Sequence, residues 1–206
     1  MRQTARTGSP NRRRERDWAA LGEGLAAMHR HCASEFGWRQ DNTIGTTPQL
    51  NSYSSDWLQF WSERRLKFQL QLADRNGYQG ELLKLGARLS EACHVLFDNY
   101  HPQPSLLHGD LWSGNVAALP DGTPIIFDPA VYFGDRETDI AMTELFGGFN
   151  GSFYSAYNDA WPLDKGYQQR KHFYNLYHVL NHLNLFGGGY LRQAEHLMSR
   201  LLSELR

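Results

Sequence analysis

"LLHGDLWSGNV" (residues 106–116) decides how this chain is read. His108, Asp110 and Asn115 stand there among Gly109 and Gly114, with apolar residues outside. Packing gives little reason to crowd small and polar groups between "LL" and "V", whereas a loop that presents side chains does. An Asp, an Asn five residues on, and a second Asp closing a following hairpin suit phosphoryl transfer from a nucleotide. One carboxylate takes the proton of the attacking hydroxyl; the amide and the other carboxylate hold Mg²⁺ against the phosphates. In this chain those residues are Asp110, Asn115 and Asp128.

Outward from that loop the period changes. "NVAALPDGTPIIFD" (residues 115–128) reads as strand, turn and strand around Asp121-Gly122, which returns Asp128 to the loop that opened it. "SLLH" before it is short and apolar. On either side the spacing is helical. Trp18, Leu21, Leu25 and Met28 begin it; Trp57, Trp61, Phe68 and Leu72 mark residues 56–74; Leu82, Leu85, Leu89 and Leu96 mark residues 79–100, which Pro102 and Pro104 close. Further helices are expected at 137–146, 153–160, 167–186 (stopped by Gly187, Gly188 and Gly189) and 190–205. "EFGWRQDNTIGTTPQLNSYSS" (residues 35–55) has no period and reads as a long loop. The expected class is α+β, mostly α, with a small β-hairpin at the catalytic site.

At 206 residues and 41% hydrophobic content the chain suits one domain or one large lobe. A net charge of −1 gives no bulk field for nucleic acid, and no apolar run reaches a membrane span of ~20 residues. Residues 1–17 carry six Arg against Glu15 and Asp17, a net +4. They read as a basic, disordered leader ahead of a lobe at 18–206. Cys32 and Cys93 match no metal-ligand spacing and read as buried free thiols in a reducing cytoplasm. His29, His31 and Cys32 invite a metal, but positions i and i+2 diverge on a helix. His178 and His182, at i and i+4, either share a ligand or belong to a polar helix near the acceptor.

"HGDLWSGN" followed by "FDPA" resembles the catalytic and metal segments of the fructosamine kinase (ketosamine-3-kinase) family, in the protein-kinase-like clan of aminoglycoside and choline kinases. "DNTIGTTPQLN", "WLQFWSERRL", "YFGDRETDIAMTELFGGF", "FYSAY" and "LYHVLNHLNLFGGGY" extend the likeness from about Trp18 to the C-terminus. The resemblance implies ATP-dependent phosphorylation of a sugar hydroxyl on a small or protein-bound ketosamine. Asp110 is then the catalytic base, Asn115 and Asp128 the Mg²⁺ ligands, and His108 and Asp139 supports of the loop. Trp112 either fills core or walls the acceptor site. Asp135, Arg136 and Glu137 are either substrate contacts or an ordinary acidic helix start.

The clan also has an N-terminal lobe with a glycine-rich loop and a strand Lys paired to a helix Glu. Nothing upstream of Trp18 reads so. The expectation is therefore a C-terminal lobe with its N-terminal lobe absent, impaired in turnover, and with an apolar face that self-associates or takes a lobe in trans. Three alternatives stay open: a non-catalytic binding module or pseudokinase remnant, a kinase for another small hydroxyl compound such as an aminoglycoside or choline, and a metal-dependent hydrolase on His108 and Asp110.

Overall fold

Asp17 accepts from Ala20 N (3.0 Å) and starts the first helix of a computed structural model that describes residues 17–205. The arginine-rich stretch, apart from Asp17, lies outside the described residues. Helix α1 (Trp18–His29) turns Leu21, Leu25 and Ala26 inward. A hairpin of β1 (Asn42–Ile44) and β2 (Thr47–Gln49) follows, with Asn42 opposite Gln49. Three-residue strands carry too little periodicity to be read from sequence, so the expected loop at 35–55 is corrected here.

Asp56 caps α2 (Trp57–Trp61), which runs through a π-helical turn at Ser62–Lys67 into α3 (Phe68–Arg75). The π turn carries Arg65, a fully buried guanidinium stacked on Phe60 (4.7 Å) and Tyr132 (4.2 Å). It donates to Leu50 O (2.5 Å) and Asn51 Oδ1 (2.8 Å), tying this helix to the β1–β2 hairpin. Helix α4 (Glu81–Ala92) ends in a 3₁₀ turn, Cys93–Phe97, so the helix expected at 79–100 is shorter.

In the centre, β3 (Ser105–Leu107) precedes the catalytic-type loop, and β4 (Val116–Ala118) pairs antiparallel with β5 (Pro124–Ile126) around the turn foreseen at Asp121-Gly122. Then β6 (Tyr132–Gly134) returns to β3, with Leu106 opposite Phe133. Helices α5 (Glu137–Leu145), α6 (Gly151–Ala160), α7 (Tyr167–Phe186) and α8 (Gly189–Glu204) complete a mostly helical α+β fold with three two-stranded sheets among the described residues.

Helix α7 is the pillar of this fold. Phe173 to Asn181 are buried without a break, so the helix is covered all round. Trp61 meets Tyr174 edge-on at 5.0 Å, and Trp57 donates to Tyr174 Oη (3.0 Å). Burying a ring of this kind contributes about 1.5–3 kcal/mol. Helices α1 and α6 cross closely at Gly22, where a Cβ would stand 2.4 Å from Phe153 O. Of the two thiols, Cys93 is buried but Cys32 is exposed, which corrects that expectation for Cys32. No helix among the described residues is long and apolar enough to cross a membrane.

Candidate active site

The loop between β3 and β4 is anchored by one side chain and one carboxylate. Leu111 is fully buried, while its neighbours Asp110, half-buried, and Trp112, exposed, line the cleft. Beneath them Asp139, in the first turn of α5, accepts from His108 N (2.8 Å, Oδ2) and Gly109 N (2.8 Å, Oδ1). Burial alone would raise the Asp139 carboxyl, but the His29 hydrogen bond and the surrounding donors outweigh it and hold it below its ordinary value. Gly109 sits at φ +81, where a Cβ would collide with Ala130 O at 2.1 Å. Only glycine allows the loop to lie that close to the segment after Asp128.

His108 ties the same two segments together. Its main-chain O accepts from Ala130 N (2.8 Å), Nε2 donates to Phe127 O (2.9 Å), and Nδ1 accepts from Asp110 N (3.3 Å). Both ring nitrogens are engaged, so neither is free to take a substrate proton. Asn115 donates from Nδ2 to Asp110 O (2.9 Å) and reaches Asp110 Oδ2 at 3.4 Å. Those acceptors set the amide orientation and leave Asn115 Oδ1 unengaged among the described residues.

Asp110, Asn115, Asp128 and Trp112 line one cleft of about 440 Å³. Asp128 is exposed and adopts φ +58, a conformation a non-glycine residue rarely takes. Its carboxylate makes no hydrogen bond or ion pair among the described residues. Asn115 Oδ1 and Asp128 are hard oxygen donors, two in number, which fits a strongly hydrated cation completed by phosphate oxygens. Burial raises the Asp110 carboxyl above its ordinary value; His108 and His182 pull it down, while Asp128 and Asp139 add to the rise. A carboxylate so placed is a better proton acceptor than a free one. Trp112 is 41% exposed, which favours the wall reading over core filling.

Of the remaining cleft wall only His182 was singled out from sequence. Ile44 and Gly45 form the tip of the β1–β2 hairpin, and Asn181, His182 and Phe186 come from α7. His182 lies among Phe146 (4.9 Å), Tyr190 (5.1 Å) and Phe186 (5.4 Å). It does not share a ligand with His178, which is buried while His182 Nδ1 donates to His178 O (2.8 Å). The signal for the hairpin was the turn glycine inside "DNTIGTTPQLN".

Asp135, Arg136 and Glu137 are placed elsewhere, in the interior and outside the cleft lining. All three are buried and face inward, away from the cleft. Asp135 accepts from Tyr100 Oη (3.0 Å), Tyr174 Oη (2.5 Å) and Glu137 N (2.9 Å). Glu137 holds Arg170 at 2.8 and 3.0 Å, and Arg136 donates to Trp161 O (3.0 Å) and Pro162 O (2.5 Å). His29 is buried whereas His31 and Cys32 are exposed, so "HRHC" is not brought together.

The fructosamine kinase family model matches residues 9–204. A Synechocystis protein named a probable ketoamine kinase is 50% identical over 186 residues, covering 90% of this chain and 62% of its own length. A chloroplastic protein-ribulosamine 3-kinase of Oryza sativa subsp. indica is 44% identical, covering 92% of this chain and 56% of its own. The chain thus spans about three fifths of the length of these curated relatives. A Thermobifida fusca crystal structure, described as a candidate fructosamine-3-kinase, superposes with a TM-score of 0.85 at 32% identity, over 98% of this chain and 69% of that one. A match along nearly the whole chain, with relatives half identical to it, makes this protein a member of the fructosamine kinase family.

Proposed function

We propose that residues 18–206 form the catalytic lobe of an ATP-dependent kinase that phosphorylates a sugar hydroxyl of a ketosamine, free or protein-bound. The observation that carries this reading is the convergence of Asp110, Asn115 and Asp128 on one cleft, over a loop whose amides Asp139 holds. Asp110 accepts the proton of the attacking hydroxyl, and its raised affinity for that proton suits the role. Trp112 offers a flat apolar wall to a sugar ring, and the rings around His182 close the far side. Asn115 Oδ1 and the Asp128 carboxylate are the side chains that would hold Mg²⁺. When bound, that ion neutralises charge on the transferred phosphoryl group. His108 keeps the loop against the Phe127–Ala130 segment, so that Asp110 and Asp128 are held in one frame.

The relatives' names support the acceptor class. The names ketoamine kinase and protein-ribulosamine 3-kinase both denote sugars linked to amines. The four lysines of the chain, Lys67, Lys84, Lys165 and Lys171, lie on no strand, and the described residues form no glycine-rich phosphate cover. Turnover then requires a nucleotide-covering lobe. Leu119, Ile125 and Phe127, exposed on and beside the β4–β5 hairpin, give such a lobe or a second chain an apolar face to meet. A cytoplasmic setting, where ATP and Mg²⁺ are at hand, fits this chemistry.

The test is transfer of labelled phosphate from Mg-ATP to fructosyl-lysine, using the chain joined to the N-terminal part of a full-length relative. Transfer that disappears with Asp110→Asn supports the reading. A completed enzyme that phosphorylates choline or an aminoglycoside and leaves fructosyl-lysine untouched overturns the acceptor. Acceptor binding without any transfer favours a binding module, the second reading that the lack of a phosphate cover among the described residues supports.

A further inference from the structure

His29 closes α1, and nothing in the proposed chemistry uses it. It is fully buried, with Nε2 3.1 Å from Asp139 Oδ2 and Nδ1 2.8 Å from Tyr157 Oη. Tyr157 Oη also lies 3.0 Å from Arg136 Nη1. Counting hydrogens orders the chain. A guanidinium can only donate, so Tyr157 accepts from Arg136, and beside a neutral imidazole its single hydrogen goes to His29 Nδ1. His29 therefore carries its proton on Nε2, aimed at Asp139 Oδ2. That oxygen accepts as well from His108 N, and Oδ1 accepts from Gly109 N. The far end is fixed too, since Arg136 donates to Trp161 O and Pro162 O and stacks on the Trp161 ring at 4.2 Å.

We propose that His29, oriented by Tyr157 and Arg136, is a positioning residue that sets the angle of the Asp139 carboxylate and through it the place of Asp110. The proposal rests on the reading of Asp110 as the base. Every link is buried: Arg136 is 8% exposed, Tyr157 and Asp139 1% and His29 0%. With no water to replace a missing donor, the carboxylate turns toward whatever donor is left. The His108 and Gly109 amides then lose a fixed acceptor, and Asp110 is the next residue along. This accounts for the histidine of "HRHC" without a metal, because both its nitrogens are taken. It also accounts for the buried Arg136.

Two measurements test it. Amide exchange followed by NMR on the 206-residue chain reads the loop without needing turnover. His29→Leu should speed exchange at His108 and Gly109 by at least ~10-fold, as loss of an outer supporting group does, while the amides of α7 keep theirs. In the lobe-completed enzyme, the same change should lower kcat for fructosyl-lysine by ~10²-fold, the cost of misplacing a group by about 1 Å. KM should stay within about twofold, since no binding contact is removed. His29→Gln can accept from Tyr157 and donate to Asp139, so it should recover most of the loss. Adding His29→Leu to Asp139→Asn should cost nothing further, because both break one link. Unchanged exchange at His108 and Gly109 in His29→Leu, or full additivity with Asp139→Asn, overturns the proposal. If His29→Leu opens every amide, Tyr157→Phe removes only the hydroxyl and decides. The same local pattern at smaller amplitude supports the link, and no change sinks it. A completed wild type without transfer defeats the kinase reading alone, and the exchange data still decide the role of His29.

Discussion

Asp110 with Asp128, and Asp135 with Glu137, are two acidic pairs that meet opposite fates. The first pair opens onto a cleft, and the Asp128 carboxylate has no partner among the described residues. The second is buried, and its oxygens are taken by Tyr100, Tyr174, Arg170 and the Glu137 amide. A carboxylate whose oxygens are filled within the protein has nothing left for a ligand; one held by its backbone alone does. Unfilled acceptor capacity at a cleft, rather than acidity or proximity to the loop, separates chemistry from architecture here.

The comparison breaks most visibly at the architectural pair. Arg170 donates to Glu137 twice, to Asp164 (2.6 Å), and lies over the Tyr100 ring at 3.5 Å. Arg170→Met keeps much of the stem and leaves Glu137 buried without a counter-charge. That should cost about 3–5 kcal/mol, read as a lowered urea midpoint. Replacing both partners, Arg170→Met with Glu137→Gln, should return part of it. A single variant within about 1 kcal/mol of wild type would place this pair outside the framework of the fold.

At the open pair the balance reverses. Asp110→Asn should leave the urea midpoint nearly unchanged and lower kcat of the completed enzyme by at least ~10²-fold, about 2.7 kcal/mol in the barrier. Retained turnover would remove Asp110 from the mechanism.

Much of this contrast was legible in the sequence, and some of it was not. The Asp110-to-Asn115 spacing, the Asp121-Gly122 turn and Asp128 at its exit are local, and the hairpin links them. Asp135, Arg136 and Glu137 look as reactive as Asp110 on paper, because their saturation comes from Tyr100, Arg170 and Tyr174, distant in the chain. The β1–β2 hairpin was missed for a related reason. Its strands are too short for periodicity, and it is held by Arg65 from a π turn that no propensity foretells. His29 was read as a rejected metal ligand, since its partners Asp139 and Tyr157 lie far along the sequence.

Asp128 sharpens the open half of the comparison. Two oxygen side chains are a poor site for a strongly hydrated ion, so Mg²⁺ should bind only once a nucleotide completes the shell. Calorimetry on the completed enzyme should show Mg²⁺ heat that depends on added ATP. Asp128→Ala should weaken it by at least ~10-fold, about 1.4 kcal/mol. Tight binding without nucleotide that survives Asp128→Ala would move the metal elsewhere.

The smallest expected effect contrasts cleft and interior on one helix. His182 faces the cleft among aromatic rings, while His178, one turn earlier on α7, is buried and its Nδ1 has no hydrogen-bond partner among the described residues. Burial, then the nearby His182, pushes the His178 imidazole down to about 3. The sign follows from linkage. The unfolded chain takes up a proton on this ring below about 6.5, and the folded chain resists until about 3. The contribution of neutral His178 is therefore complete above pH ~6.5 and is lost as the pH falls through that window, at a slope of no more than about 1.4 kcal/mol per pH unit. His178→Leu removes the titrating group and an unsatisfied nitrogen together, so it should fold nearly as well at pH 8. Between pH 6.5 and 5 its urea midpoint should fall less steeply than that of the wild type. Parallel curves for wild type and His178→Leu would mean that the interior around α7 admits the charged ring, and the boundary between the two regions would have to be drawn nearer the core.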